Sequence, residues 1–169
     1  MKPRIKTIIN HLDLLPHPEG GFFKESYRSP DMIPKNVIVG DFSGDRNYST
    51  GIYFLLTADN FSAFHRIKQD EMWHFYEGSP LLVHMIAPNG LYQMQKIGLN
   101  FELGELPQFV VPKGVWFASE VEVSGDYSLV ACTVSPGFDF QDFELAKREL
   151  LTKKFPQHSK IIKRLTRET

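Results

Sequence analysis

His65, Asp70 and Glu71 are the residues of this sequence best suited to do chemistry. They lie in the run Phe64-His65-Arg66-Ile67-Lys68-Gln69-Asp70-Glu71-Met72-Trp73-His74-Phe75-Tyr76-Glu77-Gly78. Two strand-like stretches flank a short turn there, with His65 before it and Glu71 after it. Antiparallel pairing can bring an imidazole and a carboxylate onto one face, where they could share a proton or hold a metal. A partly buried imidazole near a carboxylate titrates close to neutral pH, which suits His65 to act as a base. Glu71 or Asp70 would orient it. His74 is three positions from Glu71, so strand alternation sends it to the opposite face unless a bulge intervenes.

A second run, Gly104-Glu105-Leu106-Pro107-Gln108-Phe109-Val110-Val111-Pro112-Lys113-Gly114-Val115-Trp116-Phe117, adds candidates for the wall of a ligand pocket. These are Gln108 as a hydrogen bonder and Trp116 and Phe117 as aromatic surface, with Trp73 from the first run. Glu25 and Arg28 are charges in or at the end of another strand. Arg28 suits an anionic ligand or a rim salt bridge. Cys132, inside Leu129-Val130-Ala131-Cys132-Thr133-Val134, reads as a small buried hydrophobe rather than a nucleophile. His17, in His17-Pro18-Glu19-Gly20-Gly21, reads as turn chemistry.

The elements that must position these groups are short. Ile5, Ile8, Ile9 and Leu12 recur at helical spacing, so an amphipathic helix opens the chain and ends before Pro16. Strands are predicted at 22–28, 48–56, 61–66, 72–76, 81–87, 91–97, 108–111, 115–119 and 127–134. Each is rich in aromatic or β-branched residues and bounded by Gly, Pro, Asn or Asp. Pro88-Asn89-Gly90 suggests a hairpin with a type I′ turn. Helices are predicted again at 142–150, with Asp139 or Asp142 as N-cap, and at 159–165.

Composition bounds what such a chain does. Its 169 residues are the usual size of one domain. The formal net charge of −1 asks for no polyanion, so nucleic acid is not an expected partner. No apolar run approaches the roughly 20 residues that span a bilayer, and the N-terminus lacks the apolar core of a signal peptide. One cysteine forms no internal disulfide. A reducing, cytoplasmic setting is the expectation.

The two runs resemble the two signature motifs of the cupin superfamily. Glu71 through Gly78 matches the end of the first motif, and His65 its first histidine, but Ile67 stands at its second. Pro112-Lys113-Gly114 matches the second motif, with Phe117 in place of its histidine. The stretches Leu15–Ser29, Ser49–Leu56, Phe61–Arg66, Asp70–Tyr76 and Val130–Leu145 are similar to the fifth cupin family, a domain of unknown function. That resemblance implies a mainly β, cupin-type double-stranded β-helix, or jelly-roll barrel, with short terminal helices. It implies one domain over 1–169: helix at 1–15, barrel at 20–136, helices at 139–169. It also implies a homodimer.

Gly20-Gly21-Phe22-Phe23-Lys24-Glu25-Ser26-Tyr27 is more weakly similar to the opening strand of the dTDP-4-dehydrorhamnose 3,5-epimerases. Those are metal-free barrels in which a His removes a proton beside a carbonyl and a Tyr returns one. His65 would be that base, and Tyr127 is the nearest candidate for the acid. Three functions are therefore expected alternatives. The first is a small-molecule-binding barrel with isomerase- or epimerase-like acid–base chemistry on a sugar-like substrate, with no required cofactor. The second is a divalent-metal enzyme of dioxygenase type, with His65, Glu71 and His74 as the available ligands. The third is a non-catalytic binding or sensing module.

Overall fold

In a computed structural model that describes residues 2–168, period-two alternation builds two facing antiparallel sheets. The strands are β1 (Leu15–Pro16), β2 (Phe22–Arg28), β3 (Met32–Ile33), β4 (Arg46–Asn47), β5 (Thr50–Thr57), β6 (Phe61–Arg66) and β7 (Asp70–Gly78). They continue with β8 (Leu81–Ile86), β9 (Tyr92–Ile97), β10 (Gln108–Val111), β11 (Trp116–Val121), β12 (Tyr127–Ser135) and β13 (Glu144–Leu145). One sheet runs β1-β2-β5-β12-β7-β10 and the other β13-β6-β11-β8-β9. The pair β3-β4 stands apart. The mainly β jelly roll expected from the sequence is the observed architecture.

Alternation decides what each strand buries. On β5, Phe54 and Leu56 point between the sheets, where they meet Trp73, Val83, Phe117, Val130 and Cys132. Leu55 points outward, under the N-terminal helix α1 (Pro3–His11), and packs with Ile5, Ile8, Leu14 and Leu129. On β11, Phe117 points in, and Trp116 points out to Leu151, Phe155, Ile162 and Leu165. Those last residues belong to or flank α2 (Arg148–Lys154) and α3 (Ser159–Arg164). Full burial of side chains such as Phe54 and Phe117 contributes about 1.5–3 kcal/mol each.

Three local outcomes differ from the sequence expectation. Helix α2 begins at Arg148, not at 142. Phe140–Asp142 is a 3₁₀ turn whose cap is Asp139, accepting from Gln141 N at 2.8 Å, and Glu144–Leu145 pairs with Arg66 and His65. Residues 139–145 therefore belong to the barrel mouth. Second, α1 stops at His11, before Pro16 as expected but short of residue 15. Third, the Ala87–Leu91 hairpin has positive φ only at Gly90, with Gly90 N donating to Ala87 O. That is a three-residue loop built on a turn with Pro88 at its second position, not a type I′ turn.

Strand β6 is held from both chain ends. Ala63 N donates to Glu19 O, and Phe64 N donates to Leu165 O, both at 2.8 Å. Phe64 O accepts from Ala146 N at 2.8 Å. His65 sits within this clamp.

Candidate functional site

Between the two sheets lies a cavity of about 60 Å³, lined chiefly by apolar atoms. Its chemistry comes from Glu19, His65, Glu71 and Cys132, with His17 beside them. His65 projects from β6 opposite Phe117, and Glu71 from β7 opposite Val134, so the two stand on facing sheets. Phe138, Phe140 and Phe143, on the segment between β12 and β13, form the roof.

Both nitrogens of His65 are engaged. Nδ1 lies 2.7 Å from Ala63 O, and a carbonyl oxygen only accepts, so Nδ1 carries a proton. Nε2 lies 2.9 Å from Glu19 Oε2. One proton is shared on that line. Burial opposes charge on His65, but the Glu19 charge and hydrogen bond, helped by Glu71 and the Ala63 carbonyl, outweigh it and raise the imidazole above 6.5. Burial likewise opposes ionised Glu19, yet the His65 charge and hydrogen bond, with His17, hold its carboxyl below 4.5. Imidazolium and carboxylate are the resulting forms. Glu19 Oε1 is 3.7 Å from His17 Nδ1, too long for a hydrogen bond.

Glu71 is tuned the other way. Burial pushes its carboxyl up to about 7, with Glu19 adding to the rise and His65 and the Cys132 thiol opposing it. Burial, reinforced by Glu71, keeps Cys132 protonated, its thiol well above 9. Burial lowers His17. The cavity thus holds two carboxyls with opposite protonation preferences, the arrangement that separates a base from an acid.

The expected site residues divide cleanly. His65 and Glu71 meet at the cavity, while Phe117 does not line it and lies in the core behind the imidazole, packing on it with ring centroids 4.0 Å apart. Trp73 is fully buried and forms core with Phe54 and Phe117, without lining the cavity. Asp70 does not orient His65. It is exposed, and its Oδ1 accepts from Lys113 N at 2.8 Å. Trp116 faces outward and stacks under Arg66, whose guanidinium carbon is 4.6 Å from the ring centroid. His74 and Gln108 pair on the outer face of the six-stranded sheet, Gln108 Nε2 donating to His74 Nδ1 at 3.0 Å while His74 Nε2 meets Thr133 Oγ1 at 2.8 Å. Tyr127 is also outside, its hydroxyl donating to Glu77. Glu25 and Arg28 form a rim salt bridge at 2.7 Å, and Arg28 also holds Phe138 O at 3.1 Å.

Glu19 and the three roof phenylalanines escape the sequence reading. The turn carrying Glu19 looks like a solvent turn, but it is packed on β6. Gly20 has φ +115°, and a Cβ there would lie 2.1 Å from Phe61 O; Gly21, at φ +78°, would meet Leu55 O at 2.9 Å. A glutamate locked against two adjacent glycines was the available signal: the glycines permit close backbone approach and so bury their neighbour. Gly20→Ala is expected to lower the melting temperature by about 5–10 °C in a thermal scan, since a backbone atom must move.

The roof is pinned by a buried ion pair. Arg46 holds Asp142 through two bonds of 2.7 Å, and Gln69 Nε2 adds a third at 2.8 Å. Phe138 N donates to Thr50 Oγ1 at 2.9 Å.

Two facing antiparallel sheets closed over an internal pocket define the cupin class of jelly-roll barrels. The chain belongs to the cupin superfamily family described as DUF985, whose sequence profile matches residues 6–146. It is 34% identical over 154 residues to the uncharacterized protein YML079W of Saccharomyces cerevisiae, covering 86% of this chain and 76% of that one. A hypothetical protein from Leishmania major has a solved structure matching at TM-score 0.88 and 37% identity, over 96% of this chain and 98% of that one. A protein from Shewanella oneidensis matches at TM-score 0.86 and 41% identity, over 97% and 98%. Oxalate decarboxylase of Bacillus subtilis matches at TM-score 0.54 and 12% identity, over 89% of this chain and 36% of that one, a likeness of fold alone.

Cupins often bind a metal ion, but the donors present here do not fit one. Ile67 and Phe117 line or border the cavity where the superfamily motifs carry histidines, and neither can coordinate. His65 has no free nitrogen, and His74 is on the far side of its sheet. Among the described residues no three His, Cys, Asp or Glu side chains converge as a ligand set. No helix of the described residues is long and apolar enough to cross a membrane.

Proposed function

We propose that the cavity binds the reactive end of a small molecule and moves a proton on it, an isomerase-like reaction with no required metal. The observation that supports this is the pairing of an ionised Glu19, held by His65, with a Glu71 whose carboxyl stands at about 7 across the same cavity. Glu19 takes the role first expected of His65: it is the base, and His65 is the positioning residue that keeps it charged. Glu71 is the acid. The chemistry is removal of a proton beside a carbonyl by Glu19 and return of one by Glu71. At about 60 Å³ the cavity admits a group of a few heavy atoms, not a sugar nucleotide. A groove of about 470 Å³ with Arg66, Lys68 and Lys113 along it, sharing Ile67 and Phe143 with the cavity, gives room for the rest of a sugar-like ligand. The same reading takes the protein as a cytoplasmic homodimer, supported by its single unpaired Cys132, its family resemblance and the open edges of its sheets.

The test is solvent exchange. Protein is incubated in D₂O with two- to four-carbon hydroxy- and amino-carbonyl compounds, and proton NMR follows deuterium at the carbon beside the carbonyl. Exchange with at least one compound is expected to slow by about 100-fold or more in Glu19→Gln. Wild-type protein that exchanges none of the compounds faster than buffer would remove the acid–base reading and leave a binding module.

A further inference from the structure

We propose that the ligand of this cavity carries a small organic cation, an amino or methylated ammonium group, seated between the rings of Phe138, Phe140 and Phe143 and the two carboxyls. The proposal rests on reading the cavity as a ligand site; a cation that displaces the Glu71 proton takes Glu71 out of the acid's role, and Glu19 alone then removes and returns the substrate proton.

The first argument is charge. The ionisable groups lining the cavity are His17, Glu19, His65, Glu71 and Cys132, with no lysine or arginine among the lining residues. Glu19 and His65 neutralise each other. Burial keeps His17 and the Cys132 thiol uncharged near neutral pH. Glu71 is then the one group whose charge a ligand sets. An anion would sit beside two carboxyls with no free cation to meet it. A cation does the reverse: it takes the place of the Glu71 proton and satisfies a buried carboxylate that the protein leaves without a countercharge.

The second argument is shape. The three roof rings are mutually steep, with interplanar angles of 78°, 79° and 72° and centroids 5.1, 6.5 and 6.0 Å apart. They pack edge to face on one another, with His17 stacked on Phe140 at 6.1 Å and His65 tilted against Phe143 at 5.2 Å, so the aromatic side of the cavity lies directly against its ionisable groups. The apolar lining suits N-methyl groups as well as an aliphatic stem, and the small volume suits a compact head group.

The test compares charge at constant shape. Calorimetry at pH 6 measures methylammonium, choline, the neutral isostere 3,3-dimethylbutan-1-ol and the anion 3,3-dimethylbutanoate. At least one cation is expected to bind about tenfold or more tighter than the alcohol, and the anion weakest. Titration in two buffers of different ionisation enthalpy is expected to show close to one proton released per cation bound. Glu71→Gln abolishes that release, and Phe140→Leu weakens the cation more than the alcohol. An alcohol that binds as tightly as the cations, or cation binding with no proton release, overturns the proposal while leaving the cavity a ligand site. No binding by any probe also overturns it, and the exchange experiment then shows whether the ligand-site reading falls too.

Discussion

His65→Leu lowers the melting temperature by about 10 °C at pH 8 and by much less at pH 5. Leucine fills most of the imidazole volume, so the cavity cost is modest. What is lost is the partner of a buried carboxylate. Removing one member of a buried ion pair costs about 3–5 kcal/mol, and about 2–4 °C of melting temperature follows each kcal/mol in a domain of this size. The pH dependence separates this cause from simple loss of packing. In the native protein Glu19 is held below 4.5, so its share of the pair is present above that value and lost as pH falls through the folded pKa, while His65, raised above 6.5, contributes fully below 6.5 and loses its share as pH rises through its own folded pKa. In the variant, burial alone acts on Glu19 and raises its carboxyl. The folded state then holds a proton that the unfolded chain releases, and stability falls as pH rises. Glu71 loses the lowering influence of His65 and moves the same way. Thermal scans from pH 5 to 8 measure the effect. An equal loss at both ends of the range would show that an uncompensated Glu19 carboxylate does not dominate the effect.

Glu71→Gln is expected to stabilise the protein at pH 8 and to change little at pH 5. The native carboxyl titrates at about 7, against 4.5 in its ordinary state. Between those values the folded chain binds the proton more tightly than the unfolded chain, so stability drops as pH rises and the full cost is present above 7. A difference of that size corresponds to about 3 kcal/mol, or about 6–12 °C. Glutamine has the same shape and no charge to bury. Denaturation by urea at the two pH values checks this, with the variant's midpoint above wild type at pH 8 alone. A destabilised variant at pH 8 would mean that the carboxylate has a partner in the folded state. A residue that weakens the fold and stays in the cavity is the mark of a group kept for function.

The strands were legible because their signal is local. Each of the nine predicted runs is a strand, with ends shifted by up to two residues. The two-residue strands β1, β3, β4 and β13 were not legible, since only distant partners define them. Residues 142–150 misled for a related reason. Phe143 and Ala146 have helical spacing, but Phe143 is drawn to the cavity and Ala146 to the clamp on Phe64, while Asp142 answers Arg46, 96 positions away. Within the site, motif spacing found His65 and Glu71, and Phe117 as the core ring packed on the imidazole. Alternation explains why neighbours were over-selected: Trp116 and Phe117, or Asp70 and Glu71, cannot both face inward. Glu19 was missed because the partner of His65 lies in a loop outside the barrel strands, and turn residues carry no periodicity.

The clamp on β6 also sets the order in which the molecule can be finished as it is made. Ala63 leans on Glu19, already synthesised, but Phe64 waits for Ala146 and for Leu165, about 100 residues further along. A nascent chain can pair β2 with β5 well before that. It cannot close the outer side of β6 until those two partners are made. The strand that carries His65 is therefore among the last parts of the fold to be completed.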